Sequence, residues 1–486
     1  MTARNLLTDP RWRAEDLGFP LPDSLHAVSV ALPRWQDVVD YEEHKPDVVN
    51  RLQCGYPRFV IHPLVAALAR HIGGDQPCLP FPSASTAQRC AHFISAHTGE
   101  RSTIAEQAGV FGVMTTPSGG AALRAFWQHA GVIVSSRKAE AALDNRSDDA
   151  DGDSARRSLR RQLATLYDCA DTDVFLTPTG MAAQFAALRA VMARRPGLPT
   201  VQLGFPYVDT LKLQQKLGHG GILLHDLSTI ADDVRAVIAR QPLAACFGEI
   251  PCNPLLGSPD LAAISPLLRQ HGIAFVADDV MASPINVDAG RFADLVATSL
   301  TKFVAGTCDV MGGAVLCNPR SPLYAELHAL LTAQHEELLW GEDAVVLDAQ
   351  ARTFPDRMTR HNANGLLIAE RLRAHPAVER VWYPKWEYAS CYEAVRRQDG
   401  GWGSLLSLLL KRADQAAARF YDNLAVCKGP SLGTAFTIAC PFTLLAHYGE
   451  LDWAESCGVS RYLIRVSVGV EDAEDLWQRF DRGLGA

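Results

Sequence analysis

Residues 294–319 read DLVATSLTKFVAGTCDVMGGAVLCNP, and they carry the strongest sequence signal for a fold and a site. Leu295 to Thr298 have the continuous apolar character of a buried strand. Lys302 follows the strand end, between hydroxyl residues (Ser299 and Thr301) and a run of small residues and glycines. Desolvation favours the neutral form of an amine, which covalent cofactor chemistry requires, while the hydroxyls can donate to a phosphate. The alternative is that Lys302 is one of many surface lysines.

A carboxylate stands 24 residues before this lysine, at the end of another apolar strand. Residues 275–279 read FVADD, and Asp278 can pair with a protonated pyridine nitrogen, which keeps such a ring an electron sink. The alternative for Asp278 is a solvated loop aspartate or a helix N-cap.

A third element combines a strand, a glycine and a helix. Residues 174–188 read VFLTPTGMAAQFAAL, with Thr179-Gly180-Met181 at the junction. Backbone N–H groups at a helix N-terminus bind phosphate, although any strand–glycine–helix junction has this pattern.

Strands and helices alternate through the middle of the chain, which predicts a mostly parallel α/β sheet with helices on both faces. We expect a polar acidic loop at 143–154, LDNRSDDADGDS, because these residues have no apolar period. The expected regions are an N-terminal arm at 1–65, an inserted segment with this acidic loop at 66–154, a large cofactor-binding domain at 155–337 and a smaller C-terminal α/β domain at 338–486.

Composition and charge are those of an ordinary soluble protein. The 486 residues exceed what one hydrophobic core accommodates, and the net charge of −8 is not the basic surface that nucleic acids or anionic membranes attract. Residues 1–20 lack an apolar signal segment, and no run reaches the roughly 18–20 apolar residues of a membrane span. The twelve cysteines form no C-x-x-C pair and no metal-binding pattern. We therefore expect a cytoplasmic protein with reduced thiols, no metal, no nucleic-acid partner and no membrane association.

Five motifs in order resemble the cystathionine γ-synthase group of the Cys/Met-metabolism enzymes that depend on pyridoxal 5′-phosphate (PLP). They are TGMAA at 179–183, ExPxNPL at 249–255, SxTK with DVMGG at 299–313, SLG at 431–433 and RxSVGxED at 465–472. The resemblance runs from about residue 155 to the C-terminus, and five ordered motifs argue against a surface Lys302. It implies an α/β PLP-dependent transferase of fold type I, the aspartate-aminotransferase-like fold, assembled as a homodimer or homotetramer.

The resemblance also implies a role for each matching residue. Lys302 would carry the cofactor as a Schiff base and move protons, and Asp278 would pair with the ring nitrogen. Tyr207 would stack on the ring and assist proton transfer, with a packed core tyrosine as the alternative. Asn253 would donate to the ring oxygen, and Arg465, otherwise a surface charge, would bind the substrate α-carboxylate through its planar fork. The other implied site residues are Gly180, Met181, Ser299 and Thr301 at the phosphate, Thr437 at the substrate, and Tyr56 and Arg58 at the cofactor.

Tyr56-Pro57-Arg58 matches a Tyr-x-Arg that in the resembled family reaches the cofactor phosphate of the neighbouring subunit. Pro57 would help to keep it extended, because a residue before proline avoids the helical region. The alternative is an arm that only packs, with Arg58 solvated.

Several positions depart from the family pattern. Asp279-Val280-Met281 replace Asn-Thr-Phe, Thr307-Cys308 replace His-Ser, and Phe436 stands where a glutamate near the substrate side chain is usual. These departures leave the leaving group and the nucleophile open. The insertion between about His71 and Asp153 resembles that of the longer fungal-type cystathionine γ-synthases.

The resemblance implies γ-replacement on an O-activated homoserine, with cysteine as the nucleophile and cystathionine as the product. Within the same class, the alternatives are another nucleophile (sulfide or carbon) or a C–S lyase that eliminates at the γ or β position. In a different class, the chain would be a vestigial PLP-fold binding protein. The expected partners are small amino-acid substrates.

Overall fold

A computed structural model describes residues 4–147 and 150–485. These residues form three sheets, of three, seven and five strands. In this part of the chain no helix combines the length and the apolar character that crossing a bilayer requires.

The N-terminal arm is folded against the rest of the chain. It contains helices α1 (Trp35–Glu42) and α2 (Pro46–Val49). The N–H of Val28 donates to the carbonyl of Cys308 at 2.9 Å, and the N–H of Leu32 donates to the carbonyl of Lys428 at 3.0 Å. The buried apolar residues of the arm include Leu21, Val28, Val30 and Leu32. Burial of these side chains explains why the Pro-rich arm does not remain extended.

The inserted segment forms a small α/β unit with an antiparallel sheet in the order β1-β3-β2. Its elements are α3 (Pro63–Gly73), β1 (Cys78–Phe81), α4 (Ala84–Thr98), β2 (Thr103–Gln107), β3 (Val110–Met114), α5 (Gly120–Ala130) and α6 (Ser136–Leu143). Helix α5 packs against the large domain and brings residues of this unit to the main cavity.

The acidic stretch at 143–154 is only partly a loop. Helix α7 spans Ala150–Tyr167, so it begins inside the stretch. Asp151 and Asp153 lie in its first turn, where the helix dipole favours carboxylates. The prediction of a loop is therefore wrong for residues 150–154, and residues 148 and 149 lie outside the described part of the chain.

The predicted mostly parallel sheet of the large domain is confirmed, in the order β4-β10-β9-β8-β7-β5-β6. The elements are β4 (Val174–Thr177), α8 (Gly180–Arg194), β5 (Thr200–Leu203), α9 (Val208–Leu217), β6 (Gly221–Leu224), α10 (Ile230–Arg240), β7 (Ala245–Glu249), α11 (Leu261–Gln270), β8 (Ala274–Asp278), β9 (Leu295–Ser299), β10 (Gly313–Cys317) and α12 (Tyr324–Gln334). Strand β10 is antiparallel to both neighbours, and the other pairs are parallel. Strands β8 and β9 end at Asp278 and Ser299, so the two polar side chains lie at the same edge of the sheet.

The C-terminal part holds a five-stranded sheet in the order β11-β12-β15-β14-β13. The elements are α13 (Gly341–Ala351), α14 (Phe354–Ala374), β11 (Val378–Trp382), α15 (Ala389–Glu393), β12 (Leu405–Leu410), α16 (Ala413–Asn423), β13 (Cys427–Lys428), β14 (Ile438–Pro441), α17 (Phe442–His447), α18 (Leu451–Ser456), β15 (Ile464–Ser467) and α19 (Ala473–Gly485). Arg465 lies in the middle of β15, between Ser407 of β12 and Cys440 of β14.

Candidate active site

A cavity of about 670 Å³ opens at the edge of the large sheet where β8 and β9 end. Its walls come from the arm, the inserted segment, the large domain and the C-terminal part. All but one of the residues predicted for the site line it, namely Tyr56, Arg58, Gly180, Met181, Tyr207, Asn253, Asp278, Ser299, Thr301, Lys302 and Arg465. The exception is Thr437.

Lys302 is only 8% exposed, so the alternative of a surface lysine is wrong. Its Nζ donates to the Oγ of Ser431 at 3.3 Å and lies 4.5 Å from the ring centroid of Tyr56. Gly433 lies against the Lys302 backbone with φ of 72°, and a Cβ there would come within 2.7 Å of the N atom of Phe303. A glycine is therefore needed for the SLG turn to lie this close to the lysine.

The N-terminus of α8 forms an anion cradle. The Oγ1 of Thr179 accepts from the N–H of Ala182 at 3.0 Å, which leaves the first N–H groups of the helix, at Gly180 and Met181, facing the cavity. A Cβ on Gly180 would lie 2.5 Å from the Cβ of Ser299, so only glycine allows the helix to approach β9.

The two hydroxyls predicted to bind phosphate differ in their environment. Ser299 lines the cavity directly beside Gly180. The Oγ1 of Thr301 accepts from the N–H of Gly312 at 3.1 Å and lies 3.3 Å from the carbonyl of the same residue. Thr301 therefore also holds the Lys302 loop against the start of β10.

Asp278 is a half-buried carboxylate held by two neutral donors. The Nε2 of Gln184 donates to Oδ2 and the N–H of Val280 donates to Oδ1, both at 2.9 Å. Burial raises the pKa of Asp278 to about 7, and the neighbouring Asp279 adds to this shift. The raised pKa indicates that the protein leaves this carboxylate without a sufficient cationic partner, and a ligand with a protonated nitrogen would supply one.

Asp279 has a different environment from Asp278. Its Oδ1 accepts from the hydroxyl of Tyr167 at 3.1 Å, and it does not line the cavity. Adjacent residues at a strand end point in opposite directions, so only one of the two aspartates can face the cavity. Asp278 is the one that lines it.

Tyr207 and Arg58 belong to one buried polar cluster. The guanidinium of Arg58 donates to the hydroxyl of Tyr207, to a carboxylate oxygen of Asp209 and, at 3.0 Å, to the carbonyl of Gln128. Burial alone would raise the pKa of Asp209, but Arg58 and His129 outweigh it and hold the pKa below its usual value. Arg58 therefore fixes the position of the Tyr207 hydroxyl.

The Tyr-x-Arg segment lines the cavity of its own chain. Tyr56 contacts Lys302, and Arg58 is 3% exposed, so the alternative of a solvated Arg58 is wrong. Burial disfavours ionisation of the Tyr56 phenol, but Lys302 and Arg58 outweigh it and lower its pKa. In the described chain both residues line the chain's own cavity, and a role for this segment at a neighbouring subunit stays a prediction.

Arg465 and Asn253 contact each other at the cavity. The Nη1 of Arg465 donates to the Oδ1 of Asn253 at 3.3 Å, and its Nη2 donates to the carbonyl of Ser431 at 3.1 Å. Both acceptors are neutral, so the charge of Arg465 remains available to a carboxylate. The Nδ2 of Asn253 is buried without a hydrogen-bond partner among the described residues.

Thr437 lies outside the cavity. It is 1% exposed, and its Oγ1 donates to the Oε2 of Glu471 at 2.9 Å and accepts from the N–H of Gly469 at 2.8 Å. Phe436 packs in the hydrophobic core instead of reaching the site. Thr437 was predicted from its place after the SLG motif, but its hydroxyl is used by the 469–471 turn.

Three residues near the reacting centre were missed as site residues. Gln184 holds Asp278, Ser431 contacts both Lys302 and Arg465, and Glu249 accepts from the N–H groups of Tyr207 and Asn253. Burial and the nearby Asp278 raise the pKa of Glu249 to about 8. Gln184 was detectable as a polar residue one turn into an otherwise apolar helix, and Ser431 and Glu249 lie in motifs that were recognised.

These features fit PLP. The cradle at Gly180, Met181 and Ser299 would hold the phosphate, and its fit depends on a glycine that a Cβ would block. Asp278 would pair with the ring nitrogen, and the unpartnered Nδ2 of Asn253 would donate to the ring oxygen. Lys302 would hold the aldehyde carbon.

Comparison with known proteins agrees with this fit. The model of a family described as Cys/Met metabolism PLP-dependent enzyme matches residues 150–485, and that of a fungal trans-sulfuration enzyme N-terminal domain matches residues 60–135. A cystathionine γ-synthase of Neurospora crassa is 33% identical over 96% of this chain and 98% of its own length. A dechlorinase/desaturase of L-2-amino-4-chloropent-4-enoate from Streptantibioticus cattleyicolor is 34% identical over 94% of this chain and 95% of its own.

Among solved structures, the cystathionine γ-synthase of Xanthomonas oryzae pv. oryzae, in complex with aminoacrylate and cysteine, superposes with a TM-score of 0.61. It is 29% identical, and the match covers 69% of this chain and 86% of that chain. The fold type I prediction is thereby confirmed, and the cofactor is PLP. The chain is an enzyme of the Cys/Met metabolism PLP-dependent family, with the N-terminal domain of fungal trans-sulfuration enzymes.

Proposed function

We propose that this enzyme catalyses γ-replacement on an O-activated homoserine, with cysteine as the nucleophile and cystathionine as the product. The observation that carries the proposal is the position of Ser431. Its hydroxyl contacts the amine of Lys302 and its carbonyl contacts the guanidinium of Arg465. An amino acid whose carboxylate rests on Arg465 therefore presents its α-carbon near the Lys302 amine.

Each residue has a chemical task in this reaction. Bound PLP supplies an electron sink for negative charge at the α-carbon. Lys302 removes protons from the α-carbon and then the β-carbon of the substrate and later returns them. Asp278 keeps a proton on the ring nitrogen, and Arg465 orients the carboxylate. The bond between Cγ and the activated oxygen breaks, the acid leaves, and the cysteine sulfur forms a bond to Cγ.

The two relatives are named for different reactions. The Neurospora relative is a cystathionine γ-synthase, whereas the Streptantibioticus relative is a dechlorinase/desaturase. In this chain Phe436 stands where a glutamate is usual in the resembled family, and it is buried. The identity of the nucleophile is therefore the part of the proposal that most needs a direct test.

The test is a product analysis. We expect the enzyme, given O-acetyl-, O-succinyl- or O-phospho-homoserine with cysteine, to form cystathionine with at least one ester, faster than 2-oxobutanoate forms from that ester alone. Products are identified by mass, and Lys302→Ala protein serves as the blank. Dominant 2-oxobutanoate in the presence of cysteine would instead identify a γ-eliminating enzyme, and turnover with sulfide alone would identify a different nucleophile.

Replacing Arg465 with lysine tests the carboxylate contact. A point charge cannot form the two parallel bonds of the guanidinium fork, so we expect KM for the homoserine ester to rise about 10- to 150-fold. PLP affinity, measured from its visible absorption, should change little. Arg461→Lys is the matched control, because Arg461 pairs with Asp452 and Glu455 on the surface. An unchanged KM would remove Arg465 from the substrate site.

We also propose that the chain forms a homodimer or homotetramer in the cytoplasm. The family resemblance supports the assembly, and the twelve free thiols are typical of a reducing compartment. Light scattering of the purified protein tests the assembly, and a single-chain mass would contradict it.

A further inference from the structure

A carboxylate behind the cavity wall holds the guanidinium of Arg58 against Tyr207. Asp209 lies in the first turn of helix α9, is 1% exposed and does not itself line the cavity. Its Oδ2 accepts from the Nη1 of Arg58, and the Nη2 of the same guanidinium donates to the Tyr207 hydroxyl. Asp209 is therefore connected to Tyr207 through one buried cation.

The second carboxylate oxygen of Asp209 is bound by the inserted segment. Helix α5 supplies the Nδ1 of His129 at 3.1 Å and the Nε2 of Gln128 at 3.2 Å, both to Oδ1. An ionised carboxylate can only accept, so His129 donates from Nδ1. The backbone carbonyl of Gln128 also accepts from the Nη1 of Arg58 at 3.0 Å. The inserted segment thus binds both members of the Arg58–Asp209 ion pair.

Burial limits what this ion pair can contribute to stability. Arg58 and His129 are buried like Asp209, so water has little access to the cluster. The cost of desolvating two charges offsets most of their attraction, and a buried ion pair adds little net stability compared with apolar packing. Its fixed hydrogen bonds therefore point to a geometric role.

The Arg58 guanidinium lies beside two tyrosines of the cavity. Its Cζ is 5.6 Å from the ring centroid of Tyr207 and 5.7 Å from that of Tyr56, and the Tyr56 ring is 4.5 Å from the Nζ of Lys302. The backbone N–H of Tyr207 donates to a carboxylate oxygen of Glu249, which fixes the other end of this residue. A shift of the guanidinium would free the hydroxyl end.

We propose that Asp209 is a positioning residue of the active site, and that the inserted segment acts on catalysis through it. His129 and Gln128 orient the Asp209 carboxylate. The carboxylate holds Arg58, and Arg58 holds the hydroxyl of Tyr207, which lines the cavity. This inference rests on the proposed function for the reaction in which turnover is measured. The N-terminal domain of fungal trans-sulfuration enzymes, matched at residues 60–135, then supplies part of the active site.

A double-mutant cycle tests this series of contacts. In Asp209→Asn protein Arg58 loses its anionic partner, and we expect kcat for cystathionine formation to fall about 10- to 100-fold with little change in KM for the ester. Tyr207→Phe should lower kcat by a similar factor. In the Tyr207→Phe background, Asp209→Asn should cost less than about threefold more, because no hydroxyl remains to be positioned. Losses that multiply in the double variant would show that Asp209 supports only the fold.

Two changes at His129 separate its hydrogen bond from its packing. The amide nitrogen of asparagine can take the place of the imidazole Nδ1, so His129→Asn should retain most of the kcat. His129→Ala removes the donor, and we expect kcat to fall about threefold to 10-fold. Both variants keep the Arg58–Asp209 pair, so they test the proposal even where Asp209→Asn protein does not fold. Equal losses in the two variants would contradict it.

Asp343→Asn is the matched control, because Asp343 forms the same kind of buried ion pair with another residue of the inserted segment. Its Oδ1 accepts from the Nη1 of Arg137 at 3.1 Å, and neither residue lines the main cavity. Both aspartate variants should lower the midpoint of urea unfolding, because each breaks a buried ion pair. We expect Asp343→Asn to keep kcat within about threefold of the wild-type value. An equal loss of kcat in both would mean that the ion pairs act through the fold.

Visible circular dichroism of bound PLP gives a readout that needs no substrate. The strength of the band depends on how firmly the site orients the cofactor ring, so Asp209→Asn should weaken it relative to the absorption of the same sample, and Asp343→Asn should not. A band as strong as that of the wild-type enzyme would overturn the positioning role. The measurement remains valid if the wild-type enzyme forms no cystathionine, and that outcome would contradict the proposed function alone.

Discussion

Lys302→Ala protein is expected to lose turnover by a factor of about 1000 or more, because this amine is the general base of the proposed reaction. Within residues 4–147 and 150–485 the Lys302 amine contacts Ser431 and Tyr56 and forms no ion pair with a carboxylate, so the fold should persist without it. PLP should still bind through the α8 cradle and Asp278. The variant should therefore be an inactive protein that has lost the visible absorption of the lysine-bound cofactor.

Borohydride reduction of the native enzyme locates the covalent bond. The label should be found on the peptide that contains Lys302. Lys428 is the other buried lysine in the described chain, but its Nζ donates to the carbonyls of Pro33 and Asp422, away from the cavity. Label on the Lys428 peptide, or turnover of Lys302→Ala near the native rate, would overturn the assignment.

Asp278→Asn should lower kcat/KM by about 100-fold or more, comparable to the loss of one preorganised electrostatic contact in an active site. A neutral amide cannot keep the proton on the ring nitrogen of PLP, so the electron sink weakens. The fold should tolerate the change. Val280 can still donate to the remaining oxygen, and Gln184 keeps its second bond, from Nε2 to the carbonyl of Ala297 at 3.0 Å.

Asp279→Asn is the matched control for this prediction. Asp279 is the adjacent residue, it is fully buried, and its carboxylate accepts from the Tyr167 hydroxyl instead of lining the cavity. We expect this variant to retain most of its activity. Equal losses in both variants would mean that the carboxylates act through the local structure and not through the cofactor, and the visible absorption of bound PLP would then shift in neither.

The motifs that bind the cofactor could be predicted from the sequence, because each is a short segment whose conformation depends on neighbouring residues. The strand that ends at Ser299, the glycine at 180 and the lysine at 302 are set by neighbouring residues, and the structure brings all three to the same sheet edge. The same reasoning could not place Thr437, because its hydroxyl is hydrogen-bonded to the 469–471 turn, more than thirty residues away. The prediction of a loop over the whole acidic stretch was wrong for a different reason. The helix that begins at Ala150 starts with polar residues, so it has no apolar period there.

The sequence by itself determined the order of the cofactor-binding elements and the identity of Lys302, because strand ends and helix starts follow from local apolar pattern and glycine placement. The tertiary structure alone decided which of two adjacent aspartates faces the cavity, and that Arg58 holds the hydroxyl of Tyr207. The first relation depends on the direction of a side chain and the second joins residues 149 positions apart, and both are determined by how the whole chain packs and not by local sequence.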